Sequence, residues 1–172
     1  RARIYQFVES AWQELPSIEI DLLNTRGYGG SISLTSDGGI VAVSNPPSQL
    51  ARGVVEVYTY TDSVWALKGT AVRSADDHDF GLDVSISGLG ERLAIGGRYI
   101  HRPIAVGGFV NVYKWSETDW VLETTIGDHL IGQRWIGKHA GLSRDGSTVL
   151  VRSFPEDESQ ARVGVYSDGT AG

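Results

Sequence analysis

A unit of about 54 residues, copied three times and begun a fourth, constrains this chain more than any other feature. A strand-like run ends in tyrosine at Ile4-Tyr5, Val57-Tyr58, Val112-Tyr113 and Val165-Tyr166, and those tyrosines lie 53, 55 and 53 residues apart. A tryptophan stands seven residues after each of the first three, at Trp12, Trp65 and Trp120. A glycine-led run, a tight turn and a second apolar run then follow at Gly29 to Val43, Gly81 to Ile95 and Gly137 to Val151. Three landmarks held in step over four starts define a structural repeat, and a repeat buries its core only against copies of itself.

Each unit divides into four strand-like runs. Strand A is Ala2–Phe7, Val54–Tyr60, Phe109–Trp115 and, opening a fourth copy, Arg162–Tyr166. Strand B surrounds each repeat tryptophan. Strand C is Ser31–Thr35, Asp83–Ser87 and His139–Ser143, and strand D is Ile40–Val43, Arg92–Ile95 and Thr148–Val151. The C–D turns carry Asp37-Gly38, Leu89-Gly90 and Asp145-Gly146, where glycine accepts the positive φ a hairpin needs. Twenty-two glycines against five prolines fit many short strands joined by tight turns, and no segment sustains a helical apolar period.

Strand A is apolar on both faces. Ala2 and Ile4, Val55 and Val57, Val110 and Val112, and Val163 and Val165 fall on one side, while Tyr5 and Phe7, Tyr58 and Tyr60, and Tyr113 and Trp115 fall on the other. A sheet oily on both sides must lie between neighbours, and four-stranded sheets stacked face to face around an axis form a β-propeller. The expected fold is all-β: antiparallel four-stranded blades, about three of them, belonging to a larger or oligomer-completed propeller. The units read as residues 1–53, 54–108 and 109–161, with 162–172 supplying the first strand of a further blade. Propellers close with four to eight blades, so further blades or other chains are expected to finish the ring.

The stretches Phe80–Gly97 (FGLDVSISGLGERLAIGG), Tyr28–Pro46 and Ile136–Val151, with the Gly-x-Val-x-Val-Tyr strand and its tryptophan, resemble the FG-GAP repeat of integrin-α-like propellers. Kelch repeats are the rival, since they also place a tryptophan after a tyrosine and a double glycine. Gly96-Gly97 fits that pattern, whereas Ser44-Asn45 and Arg152-Ser153 do not. The resemblance implies an extracellular or cell-surface propeller. It does not carry calcium over, because no unit has the Asp-rich loop of the integrin type.

Charge and composition exclude several functions. A net charge of −6 opposes nucleic-acid binding, and no apolar run is long enough to span a membrane. The absence of cysteine removes disulfides, thiolate metal sites and a cysteine nucleophile. No Gly-x-Ser-x-Gly elbow occurs, and His78, His101, His129 and His139 lack metalloprotease spacing, so an enzyme is not expected.

Candidate sites fall in the B–C and D–A connections, which differ in every copy and share one rim of an up-and-down meander. Arg98, Tyr99, His101 and Arg102, in one D–A connection, form a cluster suited to a carboxylate, sulfate or acidic glycan, and scattered solvated arginines are the plainer reading. Trp135, outside the repeat register, is the candidate contact aromatic. Asp76, Asp77 and Asp79, beside His78, are the candidate calcium ligands, against a solvated acidic loop as the favoured reading. The repeated Tyr and Trp residues read as packing between blades. The expected function is a non-catalytic module for protein or glycan binding, adhesion or assembly. A building block of a homo-oligomer or filament is the alternative, and a hydrolase or lyase with a channel site comes behind both.

Overall fold

The computed structural model describes residues 2–18, 30–45, 53–73, 79–101, 105–127, 133–155 and 162–167. The strands are β1 (Tyr5–Val8), β2 (Ala11–Glu14), β3 (Ile32–Leu34), β4 (Ile40–Asn45), β5 (Val54–Thr61), β6 (Val64–Leu67) and β7 (Val72–Arg73). They continue with β8 (Asp79–Ile86), β9 (Arg92–His101), β10 (Ala105–Trp115), β11 (Trp120–Ile126), β12 (Gln133–Leu142), β13 (Thr148–Pro155) and β14 (Arg162–Ser167). All pairing is antiparallel, and the described residues contain no helix.

The hydrogen-bonded sheets are phased differently from the sequence units. Sheet I runs β3-β4-β5-β6, with β7 on the β6 side of β5. Sheet II runs β8-β9-β10-β11, sheet III runs β12-β13-β14, and β1-β2 form a separate hairpin. In repeat terms a sheet is C-D of one copy followed by A-B of the next. Within residues 54–108 and within 109–161, the A–B half and the C–D half pair into different sheets. The cause is the D–A ladder, in which Ile40–Asn45 pairs with Val54–Thr59 and Arg92–His101 pairs with Ala105–Lys114. A hairpin joins sequence neighbours whichever residue a repeat is counted from.

The turns explain why the strands stop where they do. Gly38, Gly90 and Gly146 hold φ of 76°, 74° and 74°, the same left-handed conformation in all three C–D turns. In two A–B turns the pairs Glu9-Ser10 and Asp62-Ser63 adopt positive φ without glycine.

Packing follows the two-faced pattern of strand A. The central strands of sheet II, β9 and β10, are buried on both sides. Leu93, Ile95, Phe109, Tyr113 and Trp120 pack with Ala42, Val55 and Val57 of sheet I. Ala94, Val110 and Val112 pack with Ile136, Val149 and Val151 of sheet III. The hairpin region lays Ile18, Ala2 and Ile4 on Val41, Val43 and Tyr58 of sheet I.

Candidate functional site

The polar side chains nearest the sheet junctions sit on the three C strands. These are the edge strands β3, β8 and β12, and they are strapped to one another. Ser33 Oγ accepts the Ile86 N–H at 3.0 Å, and at the equivalent place one repeat on, Ser85 Oγ accepts the Leu142 N–H at 3.0 Å. Asp83 serves both junctions. Its Oδ1 accepts from the Ser31 hydroxyl and from the Val84 N–H, and its Oδ2 accepts the Ala140 N–H at 2.9 Å. The C–D turns stack too, with the Ser36 N–H donated to Gly88 O and the Leu89 N–H to Arg144 O. A Cβ on Gly88 would come within 2.4 Å of Ser36 Oγ and 2.7 Å of Arg144 Cγ, so the turns close up only on glycine.

A second clasp joins sheets I and II at their outer edge. Asp119 accepts from the Thr70 N–H and hydroxyl and from the Trp120 N–H, and these bonds hold its carboxyl below the usual range. Trp120 Nε1 donates to Lys68 O at 3.0 Å, and Lys68 Nζ lies 3.8 Å from the Trp115 ring centroid. Burial lowers the Lys68 pKa.

The two ends of the stack expose apolar side chains. Val55 and Val57 are 0% and 2% exposed and Val110 and Val112 are 0% and 3%, yet the equivalent Val163 and Val165 on sheet III are 61% and 66% exposed. Leu150, equivalent to the buried Ala42 and Ala94, is exposed beside them. At the opposite end Ile32 and Leu34 are exposed, whereas their equivalents Val84 and Ile86 are buried. Trp12 and Phe7, paired at 5.3 Å, are exposed where Trp115 and Trp120 pack as a similar pair at 5.2 Å. A cleft of about 370 Å³ opens between sheets II and III, lined by Val112, Ile126, Val149 and Tyr166 among others. It lies beside Tyr166, at the position Trp120 occupies beside Tyr113 one junction earlier.

Of the residues singled out from the sequence, the ladder brings two together, Asp79 on β8 standing opposite Arg98 on β9. Arg98, Tyr99 and His101 belong to β9 rather than to a loop, because β9 and β10 pair as far as His101 opposite Ala105. Arg102 lies outside the described residues. Trp135 falls on β12 and Asp79 on β8, again on strands that run further than alternation in the sequence suggested. Asp76 and Asp77 lie outside the described residues. Among the described residues no three acidic or histidine side chains converge on a common point. The role of Asp83 went unrecognised in the sequence. The available signal was repeat position: Ser31, Asp83 and His139 are one column of the repeat. No protein-family model matches the chain, and no curated protein is similar to it.

Proposed function

We propose that this chain is a non-catalytic segment of a β-propeller, of FG-GAP-like type and placed at the cell surface, that works by binding and assembly through its sheet faces. One observation carries the reading: positions buried in the inner junctions are the same positions left uncovered at both ends. Contiguous exposed apolar surface marks an interaction site. The hydroxyls and the carboxylate along the C strands support a scaffold over an enzyme, because Ser31, Ser33, Ser85 and Asp83 are engaged in joining sheets.

The test pairs adhesion with turnover on one preparation. Beads coated with the chain are expected to adhere, soluble chain to compete, and Val165→Asp to abolish adhesion, while esterase, glycosidase, phosphatase and polysaccharide-lyase substrates stay intact. Saturable turnover, or no adhesion by the wild-type chain, contradicts the reading.

A further inference from the structure

We propose that Asp37-Gly38 is a site of spontaneous covalent modification, forming isoaspartate in the folded protein ahead of the equivalent pair Asp145-Gly146. The two pairs hold the same place in the repeat, in the C–D turns after β3 and β12. Both are of a reactive type, because glycine puts no side chain in the way of its own backbone nitrogen. In the reaction that nitrogen attacks Asp Cγ, a carboxyl oxygen leaves as water, and a five-membered succinimide closes. Water then opens the ring. Attack at Cγ restores aspartate, whereas attack at the main-chain carbonyl leaves the glycine joined through Cγ, as isoaspartate. One water leaves and one returns, so the step needs no oxidant and no co-reactant.

Each turn opposes that step at both reacting atoms. The Gly38 and Gly146 N–H groups are donated to Thr35 O and Ser143 O, each at 3.0 Å, which engages the nucleophile. Asp37 Oδ1 accepts the Thr35 hydroxyl at 2.6 Å and the Gly39 N–H at 2.9 Å. Asp145 Oδ1 accepts the Ser143 hydroxyl at 2.6 Å, the Ser147 N–H at 3.1 Å and the Ser147 hydroxyl at 2.9 Å. These bonds favour the ionised form of both carboxyls, and a carboxylate is a poor electrophile. The turns differ by one donor. Residue 147 is serine and supplies a hydroxyl, whereas residue 39 is glycine and supplies only its N–H. The Asp37 carboxyl is therefore the freer of the two to swing onto its glycine nitrogen. The product bears on the fold, because isoaspartate adds one carbon to the main chain beside Ser36, whose N–H holds Gly88 O across the junction of sheets I and II.

The test ages the chain at neutral pH and reads isoaspartate by enzymatic methyl labelling, with peptide mapping to separate both sites from Asp168-Gly169. The folded chain is expected to gain isoaspartate at Asp37 roughly two to ten times faster than at Asp145, the ratio one net hydrogen bond supports. In guanidinium chloride both rates are expected to rise and to converge, since both turns are then open. A Cβ at Gly39 meets nothing nearer than the Asp37 carboxylate oxygens at 3.4 Å, so a serine fits there. Gly39→Ser supplies the missing hydroxyl and is expected to slow the reaction at Asp37. Ser147→Gly removes its counterpart and is expected to bring Asp145 up to the Asp37 rate. Three results each overturn the proposal: no isoaspartate at Asp37 in the folded chain, equal rates at the two sites before unfolding, or rates that neither substitution moves.

Discussion

At the scale of single residues, Asp83 is the most consequential polar side chain, because one carboxylate serves both sheet junctions. Asp83→Ala leaves the part-buried Ala140 N–H without its acceptor, and a donor orphaned in this way costs about 1–3 kcal/mol. Ser31→Ala removes a hydroxyl that donates to Asp83 and, more weakly, to Val84 O, and it is expected to cost about 0.5–1.5 kcal/mol. Urea unfolding of the two variants checks the order. The turn acids make a pH prediction. Hydrogen bonds from the Ser143 hydroxyl, the Ser147 N–H and the Ser147 hydroxyl hold the Asp145 carboxyl at about 2, below its ordinary 3.8. Asp37 is lowered by Thr35 and the Gly39 N–H. A depressed carboxyl stabilises the fold above its unfolded pKa and loses that effect as pH falls through the folded value. Stability is therefore expected to decline from about pH 4 to pH 2, less steeply in Asp145→Asn, as thermal melts across that window will show. Asp62-Ser63 sits at φ of 52° and 65°, where Asn-Gly is the favoured pair. Replacing it with Asn-Gly is expected to stabilise the fold, measured by the shift in denaturation midpoint.

At the scale of the strand, the landmarks that repeat were the ones legible in the sequence. Val54–Tyr60 became Val54–Thr61 and Arg162–Tyr166 became Arg162–Ser167, because tyrosine and valine alternation marks both faces. The strands that outran expectation are β4, β8, β9, β10, β12 and β13. Their extensions are glycine-rich or polar, as at Gly96-Gly97 opposite Val110 and Phe109, where pairing is fixed by the partner strand and not by alternation. A Cβ at Gly96 would approach the Gly137 carbonyl oxygen to 1.9 Å, so the glycine that hides the pattern is what lets sheets II and III close. The candidate residues on β9 and β12 were read as loop residues for the same reason. Strand β7 was illegible altogether, since two residues, Val72 and Arg73, carry no period. Burial on both faces makes a strand the last to open. Amide exchange is expected to be slowest in β9 and β10 and fastest in β1, β2 and β14; equal protection in all five would contradict this order.

At the scale of the whole molecule, one rule accounts for what is buried and what is not: a sheet face is covered when a neighbouring sheet stands on that side. Trp120 is buried, Trp65 is part-buried under the hairpin, and Trp12 is exposed, although all three hold the same place in the repeat. The sequence marks these tryptophans as equivalent, but exposure depends on what stands in front of each, which no local pattern records. The phase of the sheets was hidden likewise, because a repeat has no privileged starting residue.

Methyl and backbone nuclear Overhauser contacts test that rule most directly. Leu93 and Ile95 are expected to show contacts to Val55 and Val57, while Ala94, Val110 and Val112 show contacts to Val149 and Val151 in the same sample. Cross-strand contacts should join Ser44 to Val55 and Gly96 to Val110. Contacts on one face of sheet II with solvent exchange on the other, or a hydrogen-bonded ladder between β6 and β8, would contradict it.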